Sequence, residues 1–252
     1  MDTKLYDMIF KRKSFHLFRN IGDEHISSSL LKEIEEAFLT FKPLDDTIKV
    51  KIKITQDDTT CKRGQEYCIL MYSEKKENYL QNIGYLGEQL DLYLVSKGIA
   101  TLWFGIGKPK NDKTLDNLDY VIMIAIKKID SENNFRKDMF KSKRKELCDI
   151  WRGDYYKDIA NIVRFTPSAC NSQPWFVESD SSELKIYRKR KLGRVGIMPK
   201  NAAIYYNQID MGIFLCFLEL CLEHNSIKYK RELFVEENHE SEYNLTAKYN
   251  LQ

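Results

Sequence analysis

Thr166-Pro-Ser-Ala-Cys-Asn-Ser-Gln-Pro-Trp175 is the most informative stretch of this 252-residue chain. Two prolines bracket small and amide residues. Upstream, Ile159, Ile162 and Val163 mark a helix. Pro167 stops it, because proline has no N–H to donate and its ring clashes with the preceding turn. Ser168 and Ala169 are then left with exposed backbone groups at the helix end. Downstream, Trp175 anchors a strand. Asn171 and Gln173 each carry two donors and an acceptor within a short arc. Such an arc can read the edge of a planar heterocycle; it can equally be a polar turn that caps the helix.

Outward from this stretch, Trp175 to Glu178 and Leu184 to Tyr187 read as the two strands of a hairpin. Ile209, Gly212, Ile213, Cys216, Phe217 and Leu220 recur at helical spacing. They predict a buried core helix of about 14 residues, too short and too acidic at Glu219 for a membrane span. Tyr243 to Leu251 is a last strand. The N-terminal half runs in the same order. Ser27 to Ser29 offers an N-cap to a helix carrying Leu30, Leu31, Ile34, Ala37, Phe38 and Phe41, stopped by Pro43. Ile48, Val50, Ile52 and Ile54 alternate with polar residues as a half-wet strand, and Tyr67 to Tyr72 is a second strand. Ile83, Leu86, Leu90, Tyr93 and Leu94 mark a helix ending before Gly98. Ile99 to Phe104 is extended, and Tyr120 to Ile126 is apolar enough for a central strand.

Three landmarks match at an offset of about 125 positions: Ile34 with Ile159, Gly87 with Gly212, and the strand from Tyr120 with that from Leu245. The chain therefore reads as a tandem α+β duplication, residues 1–150 and 151–252, the two halves acting as one unit. A fold that buries its central helices in a twofold dimer could then do so within one chain. The joining segment, Ser131 to Arg152, is dense in Lys and Arg and reads by itself as a solvated linker.

Composition bounds the function. The 40 basic and 37 acidic residues leave a net charge of +3, too weak to argue for nucleic acid, and no helix-turn-helix pattern or aromatic platform accompanies the basic run. No apolar run reaches a membrane span and the N-terminus carries no signal-type apolar region. Six scattered cysteines without Cys-x-x-Cys read as reduced thiols of a cytoplasmic protein, with no metal site expected.

Pro-Ser-x-x-Asn-x-Gln-Pro-Trp after a helix resembles the flavin-proximal motif of the FMN-dependent nitroreductase family. Phe10-Lys-Arg-Lys-Ser-Phe-His-Leu-Phe18 is similar to that family's Arg-x-Ser-x-(Arg/Lys) phosphate-binding opening. Gly98-Ile-Ala-Thr-Leu-Trp-Phe-Gly105 resembles the stretch whose backbone lies near flavin N5, and Lys141-Ser-Lys-Arg-Lys-Glu-Leu147 the late basic segment of the phosphate site. The likeness spans nearly the whole chain, with a departure in the order of the motifs. The first half keeps Arg12 and Ser14 but has Phe41-Lys-Pro-Leu-Asp-Asp46 where the Pro-Ser motif belongs; the second keeps Pro167-Ser168 without an Arg-x-Ser opening. The pattern looks like the fused, pseudo-dimeric subgroup, with one FMN site across the internal interface.

That resemblance implies a nitroreductase-like fold and an FMN-dependent oxidoreductase. Hydride would pass from NADH or NADPH, through flavin N5, to a small electron-poor acceptor of nitroaromatic or quinone type. The same motifs would also serve a non-catalytic FMN-binding or redox-sensing protein. The implied cofactor residues are Arg12, Lys13, Ser14, His16, Trp103, Phe104, Gly105, Lys143, Arg144, Pro167, Ser168, Ala169, Asn171 and Gln173. Arg12, Lys143, Arg144 and Ser14 suit a phosphate monoester. His16 stands where the family has Arg or Lys near the flavin N1/O2 edge; it can instead pack beside Phe15 and Phe18. Lys13 reads as solvent-facing. The chemistry is the flavin's, so no catalytic side chain is assigned. Neither nucleic acid nor membrane is expected as a partner, and a monomer with an internal pseudo-dimer, alone or further paired, completes the reading.

Overall fold

A computed structural model describes residues 4–111, 113–190, 199–235 and 241–252. The first half runs α1 (Lys4–Lys11), α2 (Ser28–Thr40), β1 (Val50–Thr55), β2 (Tyr67–Ser73), α3 (Tyr79–Ser96), β3 (Ile99–Trp103), β4 (Thr114–Leu115) and β5 (Leu118–Lys128). After α4 (Leu147–Ile150), which ends at the boundary, the second runs β6 (Trp151–Arg152), α5 (Lys157–Val163), β7 (Trp175–Ser179), β8 (Glu183–Lys189), α6 (Lys200–His224), β9 (Tyr229–Leu233) and β10 (Tyr243–Leu251). The periodicities explain most of these. Ser27 accepts the Leu30 N–H to start α2, which buries Ile34 and Phe38. The apolar β5 lies between β2 and β3 and is buried through most of its length.

The duplication is visible in the sheets. One is ordered β1-β2-β5-β3, with β4 against β5, and the other β6-β7-β8-β10-β9. Without the short β4 and β6, each is a four-stranded antiparallel sheet of the same order. Each also carries a β-bulge at the matching place. Val121 is skipped between the pairs Met71–Ile122 and Tyr72–Tyr120, and Thr246 between Ile186–Ala247 and Tyr187–Leu245.

Helices α3 and α6 cross at the centre, and their contact is reciprocal. A Cβ on Gly84 would fall on the carbonyl oxygen of Ile209, and one on Gly212 would fall on that of Gln81. Each helix thus presents a glycine to the other's backbone, three residues from the carbonyl it offers in return. Gly84, rather than Gly87, is therefore the counterpart of Gly212. Gly87 lies against Trp103 and Met71, in the packing of α3 on its own sheet. The helix expected to be about 14 residues long is 25. The added N-terminal turns carry Tyr205, Tyr206, Asn207 and Gln208, whose polar groups break the apolar stripe that marks the rest. Strand β9 escapes hydrophobic patterning because Tyr-Lys-Arg-Glu-Leu is a charged edge strand.

Packing crosses the sequence boundary between the halves. Leu5, Tyr6 and Ile9 of α1 join the core formed by Trp175 and the α6 residues Phe214, Phe217 and Leu218. Fully burying side chains of this size contributes about 1.5–3 kcal/mol each. The segment leaving α1 then returns to the first sheet, where Ser14 forms a parallel bridge with Thr101 and the Phe15 N–H donates to the Thr101 carbonyl at 2.9 Å.

Candidate functional site

The turn after α5 is strained and heavily gripped. Cys170, Asn171 and Gln173 have left-handed backbones, with φ of 50°, 56° and 47°. Each such non-glycine residue costs about 1 kcal/mol or more, so the surroundings must hold it. Both carboxylate oxygens of Asp210 accept the Ala169 N–H, at 3.0 and 3.1 Å. Ser172 donates toward Asn207 and Asp210, each at 3.2 Å. Ser168 Oγ accepts the Gln173 N–H at 3.0 Å. Burial raises the Asp210 carboxyl to about 7, opposed by the Ala169 and Ser172 bonds.

Gln173 faces inward and is only 2% exposed. Its Oε1 accepts the Lys145 N–H at 2.9 Å, its Nε2 donates to Asn171, and its carbonyl accepts Lys145 Nζ at 2.8 Å. The amide expected to read a heterocycle thus organises the turn, and the open edge falls to exposed Asn171. Asn171 Nδ2 donates to the Lys143 carbonyl at 3.2 Å, which fastens the basic segment to the turn. Lys143 contributes that carbonyl while its side chain is exposed.

The joining segment is not merely solvated: Arg136 and Arg144 are partly buried beside Arg12. Burial first, then the charges of Arg12 and Arg144, lower Arg136 to about 10. Burial, then Arg12 and Arg164, lower Arg144 to about 10. Lys13 is lowered by burial and by Arg136, so it is half-buried in the same field and not solvent-facing. Arg144 donates to the carbonyls of Lys143 and Phe165, at 2.9 and 3.1 Å. Its Nε, like that of Arg164, is buried without a partner. Among the described residues no carboxylate pairs with Arg136, Arg144 or Arg164. Arg12 alone has acids: its Nε lies 2.9 Å from Asp91 Oδ2 and 3.7 Å from Glu88. Like charges held this closely, with orphaned donors, could hold an anion of more than one charge.

The end of β3 joins the cluster through Asp91, whose carboxylate accepts Arg12 Nε, Thr101 Oγ1 (2.5 Å) and Trp103 Nε1 (2.9 Å). The Phe104 N–H is used by the Met123 carbonyl. Tyr206 of α6 donates to the Gly105 carbonyl at 2.5 Å, and a Cβ on Gly105 would lie 2.8 Å from the Tyr206 ring. Tyr206, Asn207 and Asp210 thus connect Gly105 with the Ala169–Ser172 turn. The four sequence elements meet here: the Arg12–Ser14 opening, Trp103–Gly105, Lys143–Lys145 and Pro167–Gln173. His16 follows the opening, exposed to solvent.

Sequence reasoning missed Asp91, Arg136, Arg164, Tyr206, Asn207 and Asp210. One signal was available: an acid within an otherwise apolar stretch of helix. Asp91 of α3 and Glu219 of α6 are both fully buried, 128 positions apart, as are Gly84 and Gly212. Glu219 accepts from Tyr85, Tyr229, Arg231 and Tyr249 at 2.5–2.8 Å. Thr101 and Trp103 thus correspond to Tyr229 and Arg231. Asn82 stands the same distance before Asp210, and its Oδ1 accepts the N–H groups of Leu44 and Asp45 at 2.9 and 3.1 Å.

The family model described as "Putative TM nitroreductase" matches residues 4–222. No curated protein matches the chain. A solved structure described as a "putative nitroreductase" from Thermotoga maritima is similar over 98% of this chain and 92% of its own, at 20% identity and a TM-score of 0.63, a likeness of fold. A "Putative NADH Oxidase" from Clostridium acetobutylicum matches 59% of this chain and 100% of its own, at 15% identity and a TM-score of 0.43. A nitroreductase with bound FMN from Desulfitobacterium hafniense matches 58% and 100%, at 14% identity and a TM-score of 0.42. With its two half-repeats around the α3–α6 crossing and the family model covering most of its length, the chain belongs to this nitroreductase family and is an oxidoreductase.

Proposed function

We propose that the chain binds one FMN and oxidises NADH or NADPH at the expense of a small electron-poor acceptor, of nitroaromatic or quinone type. The observation that carries this reading is the group of Arg136, Arg144 and Arg164, without carboxylate partners among the described residues, gathered with the acid-held Arg12 beside the Pro167–Gln173 turn. A phosphate monoester, with close to two negative charges, answers that arrangement. The flavin, when bound, supplies the two-electron chemistry by accepting and releasing hydride.

The chain's own residues hold and orient. The terminal nitrogens of Arg12, Arg136 and Arg144, with the Ser14 hydroxyl, serve the phosphate; Asp91 fixes Arg12 in place and shares its charge. Ser168 and Asn171 serve the ring edge, on a turn braced by Asp210 and Gln173. The Gly105 N–H, without a partner among the described residues, is the backbone donor available to the ring, and Tyr206 steadies its peptide from the carbonyl side. His16, outside the protein core, completes the ring's far edge.

Because the four elements come from both halves, one chain makes one site as an internal dimer, the two halves functioning as a unit. The free cysteines suit a reducing compartment, the cytoplasm, and no described helix is long and apolar enough to cross a membrane. The test is direct. Purified protein should be yellow, release FMN on denaturation, and oxidise NADH or NADPH with menadione or a nitroaromatic. FMN binding without turnover would favour a binding or sensing role; failure to bind FMN would reject the site.

A further inference from the structure

A cavity of about 430 Å³ lies where the first turn of α3 meets Tyr205 and Gln208 of α6, Arg188 of β8, the Asn244–Thr246 bulge of β10, and Phe234 just past β9. It stands at the repeat-related counterpart of the candidate site. Asn78 and Phe234 follow the same 128-position correspondence to Tyr206 and Ile106 that relates Gly84 to Gly212.

Its walls hold polar groups the protein leaves unanswered. Asn244 is 4% exposed, and neither its Oδ1 nor its Nδ2 has a partner; Gln81 is 7% exposed, and its Oε1 has none. Both line this one cavity. Burying amide groups without partners costs stability, so each such group calls for an explanation. Tyr79, Tyr205 and Phe234 offer ring surface, beside the polar side chains of Asn78, Gln208 and Thr246. The charge pattern differs from that of the arginine cluster. Lys76 is paired with Glu74 at 3.0 Å, and Glu77 also lines the cavity. Arg188 is the one arginine among the described lining residues, where the candidate site gathers four.

We propose that this cavity binds a neutral, planar heteroaromatic amide, a ring carrying an N–H donor beside a carbonyl acceptor. Asn244 supplies the complementary acceptor and donor, Gln81 a second acceptor, and the aromatic residues the ring contacts. The volume suits a one- or two-ring molecule. The site is built by the chain alone and does not depend on flavin at the arginine cluster.

The experiment is a calorimetric titration of the purified protein with nicotinamide, the probe amide, and with nicotinate, which replaces the amide by a carboxylate. Nicotinamide should bind at one site per chain and more tightly than nicotinate, leaving the visible spectrum of any bound flavin unchanged. Asn244→Leu and Gln81→Leu should each weaken it about tenfold, the loss of one hydrogen bond to a buried group. Asn244→Leu should melt at the same or a higher temperature, because it removes no internal bond; an amide with a purely structural role would lower it. Gln81→Leu and the nicotinate comparison read the site even if Asn244→Leu folds poorly. No saturable nicotinamide binding up to its solubility limit, binding unchanged in both variants, or tighter binding of nicotinate would overturn the proposal.

Discussion

Asp91 and Glu219 occupy the same place in two copies of one fold and serve different ends. Each is a fully buried acid on a central helix, gripping alternate residues of the following strand. Glu219 closes on itself: three tyrosines and Arg231 surround it, and Arg231 Nη2 donates onward to the Leu44 carbonyl at 2.6 Å. Leu44 belongs to the segment that replaces the Pro-Ser motif, so that region is welded into the core. Asp91 instead holds Arg12 by Nε, and beyond Arg12 lie cations with no acid of their own among the described residues. The grip on the preceding turn diverges too. Asn82 holds Leu44 with a neutral amide, and Asp210 holds Ala169 with a carboxyl that burial raises to about 7. A duplicated scaffold has kept its bracing in both copies and gathers arginines beside one of them.

The largest expected effect separates the two arginines. Arg12→Ala leaves Asp91 and Glu88 buried without their cation, and Arg231→Ala does the same to Glu219. Each should cost about 3–5 kcal/mol of stability. Only Arg12→Ala should also lower FMN affinity once stability is accounted for; equal FMN loss in both variants would erase the distinction. Calorimetric melting and flavin fluorescence titration measure the two quantities.

Gly84→Ala and Gly212→Ala test the symmetry itself. Each new methyl meets a backbone carbonyl across the crossing, so each should destabilise by about 3 kcal/mol, at the upper end of overpacking costs. Gly87→Ala meets side-chain atoms of Trp103 and Met71 and should cost less. A clear inequality between Gly84 and Gly212 in urea unfolding would break the reciprocal reading.

Arg144→Ala should weaken FMN about ten- to a hundredfold, the loss of a charge-assisted bond of about 1.5–3 kcal/mol. Arg136→Ala should weaken it similarly while the cofactor-free protein melts no lower, since a repelling charge is gone. Unchanged affinity in both would place the phosphate elsewhere.

The smallest effect concerns pH. Burial raises the Asp210 carboxyl from 3.8 to about 7, so the folded chain holds this proton more firmly than the unfolded one. Its contribution is full below about pH 4 and is lost as pH rises through 7. Asp210→Asn, copying Asn82, should flatten the melting temperature between pH 4 and 7 relative to the parent. A parallel pH dependence in the two proteins would contradict the assignment.

Much of this was legible in the chain. Pro167 and Trp175 delimit the turn, alternation marks β1, and helical spacing marks α3. The rest depends on tertiary placement. The halves do not repeat at one constant interval: Ile34 and Ile159 are 125 positions apart, as are the bulges at Val121 and Thr246, while Gly84 and Gly212 are 128 apart. Loop lengths absorb the difference, which is why Gly87 looks like the match from spacing alone. Arg136 and Arg164 carry no local pattern, and only folding brings them to Arg144. Gln173 looked like a reader because its amide is versatile, yet the same versatility lets it brace its own turn.

On the proposed function, one copy of the duplicated fold holds the FMN phosphate and the other does not. Saturating the purified protein with FMN, removing the excess, and measuring released flavin against chain concentration tests it most directly. The account predicts one FMN per chain. A ratio near two would mean that both copies retain a site, and a ratio near zero that neither does.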